Sequence, residues 1–144
     1  MIRENDILLI QEKLPQIADD AHELYVDKYM EPKVDEMEKV YKIIKEFIKK
    51  KKRIIYGGYA QNALIKKVYP GDAFYTKYSL ADIEFYTPDP IRDGMELTDI
   101  LHKKGFLHCQ LSEGVHNETY KLFSNFVNYA DISYLPQNIF DNCP

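Results

Sequence analysis

The sequence contains no tryptophan, and among its 144 residues are only two cysteines. Cys109 and Cys143 lie 34 positions apart. They form neither a CxxC pair nor a disulfide framework, so two reduced thiols are expected. Long apolar runs are missing as well. The longest aliphatic stretch, Ile7 to Ile10, falls far short of the roughly 20 residues a membrane helix needs, and no membrane partner is expected. Residues Met1 to Asp6 lack the charged-then-apolar layout of a signal peptide, so the chain is expected to stay where it is made. With Gly 6 and Pro 7, collagen-like and low-complexity architectures are excluded. An excess of base is also absent. Nineteen basic residues face 23 acidic ones, a formal charge of −4, so any nucleic-acid contact must be local. His22, His102, His108 and His116 have no ligand spacing, and zinc is not expected.

What is present suffices for one folded domain. Hydrophobic residues make up 45% of the chain, with 12 tyrosines and 7 phenylalanines, enough apolar surface to offset chain entropy. Residues 1–32 read as an N-terminal helical extension of one or two short helices, around Ile7–Ile17 and Ala18–Met30, punctuated by Pro15 and Pro32. Residues 33–144 read as the core. Val34, Met37, Tyr41, Ile44 and Ile48 recur at three- and four-residue steps and predict a helix from Lys33 to Lys52. Arg53–Tyr56 reads as a short buried strand, broken by Gly57-Gly58. A helix follows, with Ala60, Ala63, Leu64 and Val68 on one face. Tyr69 to Asp72 reads as a turn.

Leu80–Thr87 alternates as a strand, with Ala81, Ile83 and Phe85 on one side and Asp82, Glu84 and Tyr86 on the other. Asp89-Pro90 supplies an N-cap and a first helical position. Ile91, Met95, Thr98 and Leu101 then form the expected inner face of a helix that ends at Gly105. Phe106–Leu111, Thr119–Ser124 and Phe126–Leu135 are strand candidates. In the last, Phe126, Ala130, Ile132 and Tyr134 are expected on one face, and Val127, Tyr129, Asp131 and Ser133 on the other. The order of elements predicts an α+β fold, one mixed sheet packed with helices.

Three acidic i,i+2 pairs occur: Glu4/Asp6, Glu36/Glu38 and Asp82/Glu84. Only Asp82/Glu84 falls in a predicted strand, where that spacing aims both carboxylates at one face, about 6.5–7 Å apart along the backbone. Such a pair suits hard divalent cations, which take oxygen ligands; two solvated acids on an amphipathic strand are the alternative. Two features favour the site. Asp131 offers a third carboxylate from another strand, and Gly57-Gly58 opens a helix where bare N–H groups can hold phosphate. Together they specify a nucleotide–metal site with two Mg²⁺ ions about 3.5–4 Å apart. Tyr75 and Tyr78, in the loop before the acid strand, could stack on a base, and Lys77 and Lys121 could neutralise phosphates.

Tyr56-Gly57-Gly58-Tyr59-Ala60, Ala81-Asp82-Ile83-Glu84-Phe85-Tyr86 and Tyr129-Ala130-Asp131-Ile132-Ser133-Tyr134-Leu135-Pro136 resemble the nucleotidyltransferase core of poly(A) polymerase catalytic subunits from large cytoplasmic DNA viruses. Glu96 to Phe106 and Pro136 to Phe140 are similar to the African swine fever virus and giant-virus branch. The resemblance extends from about Lys33 to Pro144. It implies the polymerase-β-like palm fold and a template-independent transfer of AMP from ATP to an RNA 3′-hydroxyl, releasing pyrophosphate. It implies that Gly57 and Gly58 hold the triphosphate, that Asp82 and Glu84 bind both Mg²⁺ (or Mn²⁺) ions, and that Asp131 completes the ion activating the hydroxyl. ATP and the RNA 3′ end are the implied partners, with a homo-oligomer or a viral processivity subunit besides. The implied location is the host cytoplasm, in the viral factory or the virion. Family members continue past this point, so a catalytic core without their further domains is expected. A nucleotidyltransferase acting on a protein or small molecule, and a non-catalytic scaffold of the same fold, are the rival readings.

Overall fold

Apolar residues at helical spacing set the longest core-facing helix, and alternating ones set the strands packed beneath it. The computed structural model describes residues 3–79 and 81–144. Along the chain run α1 (Glu4–Lys28), α2 (Val34–Lys51), β1 (Ile54–Ile55), α3 (Gly57–Val68), a 3₁₀ turn (Pro70–Asp72), β2 (Ile83–Thr87), α4 (Pro90–Lys103), β3 (Gln110–Glu113), β4 (Thr119–Ser124), β5 (Val127–Tyr134) and α5 (Gln137–Phe140). The strands form one sheet in the order β1-β2-β5-β4-β3. β2 and β5 are parallel; the other neighbours are antiparallel. This is the mixed α+β architecture the pattern predicted.

One core holds the sheet to α2 and α4. Val40, Ile44, Leu97 and Leu101 pack there with Ile83, Phe85, Leu122, Ala130 and Ile132, all fully buried. Each of these side chains other than Ala130 contributes about 1.5–3 kcal/mol relative to an exposed position. α2 follows its predicted stripe. Strand β2 buries Ile83, Phe85 and Thr87 and leaves Glu84 and Tyr86 half-exposed, as its alternation required. Of the predicted strand, Leu80 lies outside the described residues, and Asp82 immediately precedes the ladder. Asp89 caps α4 by accepting from the Arg92 N–H at 3.1 Å, and Pro90 takes the first helical position. Gly105, at φ +90°, follows the end of α4.

Elsewhere the structure departs from the expected pattern at six places. Residues 4–28 form one helix running through Pro15, with Val26 its only buried residue among those described. β1 is half-buried at the sheet edge. α3 buries none of its residues: Leu64 and Val68 are 66% and 65% exposed, and Tyr59, Asn62 and Ile65 form its half-buried side. α4 turns Asp93, Gly94, Leu97 and Leu101 inward and leaves Ile91 and Met95 exposed. Gly94 belongs inside because Leu111 comes so close that a β-carbon would lie 2.6 Å from both its δ-methyls. Finally, β3 begins at Gln110, and Phe126 sits at φ +66° between β4 and β5, 76% exposed.

An ion pair missed from the sequence ties α4 to the sheet. Arg53 Nε donates to Asp93 Oδ2 at 2.6 Å and Nη2 to Oδ1 at 3.1 Å, while Thr87 Oγ1 donates to Oδ2 at 2.7 Å. Asp93 is 1% exposed. A carboxylate so desolvated persists only when paired and hydrogen-bonded.

Candidate active site

Register places the charged residues in one row across three strands. Glu84 on β2 faces Asp131 on β5, and Asp131 faces Lys121 on β4. Residues directly opposite in adjacent strands share a face, about 4.7–4.9 Å apart between strands. The neighbouring row, Ile83–Ala130–Leu122, is wholly buried on the core side. The apolar face thus fixes which way the acids point. Lys121 Nζ donates to both Asp131 oxygens, at 2.9 and 2.8 Å.

A β-bulge recruits a further residue to this face. Leu122 pairs with Ala130 but Phe123 pairs with Asn128, which leaves Tyr129 as the extra residue. The expected alternation breaks there, and Tyr129 is buried with Ala130 instead of joining Asp131. Its ring packs edge-on against Tyr41 of α2, with centroids 5.1 Å apart. Burial pushes the Tyr129 phenol far above its ordinary range. Asn128 is left beside the acids. Its Nδ2 donates to Asp131 Oδ1 at 3.0 Å and to Asp82 Oδ2 at 3.3 Å, drawing the two carboxylates to one amide. No signal in the sequence singled out Asn128, because a bulge depends on the partner strand.

The glycine pair forms the corner between β1 and α3. Tyr56 N donates to Glu84 O at 2.9 Å, and Gly58 N donates to Glu84 Oε2 at 3.0 Å. Gly57 adopts φ +67°, and a β-carbon there would overlap the Glu84 carboxylate. The positive end of α3 therefore meets an acid of the β2 pair, an arrangement that favours anions. Beyond the corner, the Tyr56 ring stacks on Tyr86 at 4.0 Å, and its hydroxyl shares a hydrogen bond of 2.8 Å with Ser133. Ser133 in turn shares one of 2.9 Å with Thr119.

Electrostatics single out Asp82. Desolvation first, and the charge of Asp131 second, raise its carboxyl above the ordinary 3.8, while Lys121 pulls it down. Burial likewise raises Tyr56, with Glu84, Tyr86 and Asp131 adding to it. All three predicted acids and both glycines are linked through these contacts, Gly57 and Gly58 to Glu84, and Asp82 to Asp131 through Asn128. Their oxygens do not converge on a single point: Glu84 is turned to Gly58 and Asp131 to Lys121. Among the described residues, no three His, Cys, Asp or Glu side chains stand at metal-holding spacing. Asp82 and Asp131, joined through Asn128, are the nearest approach to an oxygen donor set, and carboxylate oxygens suit hard divalent ions.

The family model described as "Poly(A) polymerase catalytic subunit" matches residues 42–144. A protein of Acanthamoeba polyphaga mimivirus, named as a candidate poly(A) polymerase catalytic subunit, is 42% identical over 136 residues, covering 94% of this chain and 23% of that protein. An African swine fever virus protein under the same name is 39% identical over 110 residues, covering 76% of this chain and 22% of its own. The crystal structure of the Megavirus polyadenylate synthase matches with a TM-score of 0.88 at 42% identity, over 96% of this chain and 28% of that one. The chain spans about a quarter of the length of the curated relatives it matches.

Proposed function

This chain belongs to the poly(A) polymerase catalytic-subunit family, and on that premise we propose that its acid face transfers AMP from ATP to an RNA 3′-hydroxyl. The hydroxyl gives up its proton to solvent, its oxygen bonds to the α-phosphorus, the bond from that phosphorus to the α,β-bridging oxygen breaks, and pyrophosphate leaves with that oxygen. The observation that carries this reading is the Glu84–Asp131–Lys121 row, with Asp82 beside it and the glycine corner at its end.

The parts divide the work by chemistry. Asp82, Glu84 and Asp131 are the residues that would hold Mg²⁺ or Mn²⁺, which when bound supply charge neutralisation at the triphosphate and activation of the hydroxyl. The Gly58 N–H, at the positive end of α3, is held by Glu84 Oε2 in this structure and would suit a phosphate oxygen once Glu84 turns to a bound cation. Lys121 puts an ammonium on the same face, where negative charge develops on the transferred group. Asn128 keeps Asp82 and Asp131 within reach of each other.

Calorimetric titration of ATP with and without Mg²⁺, on the wild type and Asp82→Ala, tests the proposal alongside extension of an RNA primer. Mg²⁺-dependent ATP binding that Asp82→Ala weakens at least tenfold is expected, with AMP added to RNA. Binding indifferent to both the metal and Asp82, or AMP delivered to protein and never to RNA, would overturn it.

A further inference from the structure

Between α2 and α3 opens a cleft of about 520 Å³ that reaches the residue before Asp82, within the roughly 300–1,000 Å³ typical of ligand sites. Its lining includes Lys42 and Lys45 from α2, Tyr59 and Lys66 from α3, and Tyr75 and Lys77 from the following loop. Glu38 is the one carboxylate among the lining residues. None of the four lysines forms an ion pair among the described residues. Lys77 Nζ instead lies 4.7 Å over the Tyr78 ring. Such a local positive excess stands out in a chain of charge −4. The cleft's inner wall reaches Ala81, one residue before Asp82, and Tyr41 fixes that wall by donating to Ala81 O at 2.7 Å.

We propose that this cleft holds a single-stranded RNA segment upstream of the reacting 3′ end, with the lysines on its phosphates and Tyr59 and Tyr75 against its bases. Four unpaired ammonium groups select a polyanion. Aromatic side chains in a concave site select exposed bases, which a duplex keeps stacked inside. The contact is local, as the overall negative charge demands. It rests on reading the acid face as a transfer site for RNA ends, because the cleft's position beside Asp82 is what makes its strand the acceptor.

The test is fluorescence anisotropy of a labelled oligoadenylate of about 15 nucleotides, without ATP or metal, across a salt series. Wild type is compared with Lys42→Ala/Lys66→Ala; both lysines are exposed, so the fold is retained. The expected result is at least a tenfold weaker RNA affinity at fixed salt. The slope of log affinity against log salt should fall by about 1.4, or 0.7 per lost phosphate contact. Mg·ATP affinity, read by calorimetry on the same variant, should stay within twofold. Unchanged RNA binding, an equal loss of Mg·ATP binding, or equally tight and equally sensitive binding of a duplex would each overturn the proposal. Substitution-sensitive RNA binding by a wild type that transfers no AMP would sustain the cleft assignment and defeat the transfer reading.

Discussion

Gly57 stands with its α-carbon against the carboxylate of Glu84, so close that no side chain fits between them. The contact links the turn that starts α3 to the acid pair of β2, and it requires glycine twice over, for space and for the φ of +67°. Gly57→Ala is expected to cost about 1–2 kcal/mol for the left-handed backbone, and to lower AMP transfer about 100-fold by displacing Glu84. Gly58→Ala should be milder, since its β-carbon would meet only the mobile tip of Tyr75, at 2.6 Å. Urea unfolding and primer extension on both variants check the order.

Asp131→Ala is expected to abolish transfer while sparing most Mg·ATP affinity, because Asp82 and Glu84 remain for the triphosphate. Single-turnover extension set against calorimetric binding separates the two effects. Parallel loss of both would show that the three acids act as one unit.

The raised Asp82 carboxyl gives a signed pH dependence. A folded value above the ordinary 3.8 favours the protonated form in the fold. Its stabilising contribution is therefore complete below 3.8 and lost as pH rises through the folded value. Asp131→Asn should lower that value by removing a like charge, and Lys121→Met should raise it further by removing the opposing one. Carboxyl-resolved NMR titration of the metal-free protein reads both shifts, and shifts of the opposite sign would refute the charge assignment.

Removing Asp93 should destabilise the fold by about 3–5 kcal/mol, since Arg53 would be left without its partner in a largely desolvated site. Asp93→Asn, which keeps an acceptor for Thr87, should cost less. Urea denaturation midpoints distinguish the two variants. Such a loss would register in stability first, because the pair lies outside the row of acids.

Much of the site was legible because strands write their faces with a period of two. Asp82 and Glu84 declared a shared face, and Asp89-Pro90 declared the start of α4, through chemistry confined to a few adjacent residues. The failures lay where a distant segment intervened. Gly94 is an inward position only because Leu111 of β3 reaches it. Tyr129 left the acid face because β4 pairs across it with one residue fewer, and the same bulge delivered Asn128. Pro15 did not break α1, where local punctuation had suggested two helices.

The order of helices and strands, the acid pair on one face and the glycine turn ahead of it were set by the sequence alone, since each depends on side chains and backbone within a few residues. Only tertiary structure decided that Asp131 lies opposite Glu84 and pairs with Lys121, that Asn128 bridges two carboxylates, and that lysines from α2, α3 and a loop share one cleft. Those relations come from strand register and helix packing, which bury apolar faces contributed by remote parts of the chain, and no local pattern records which row will face which.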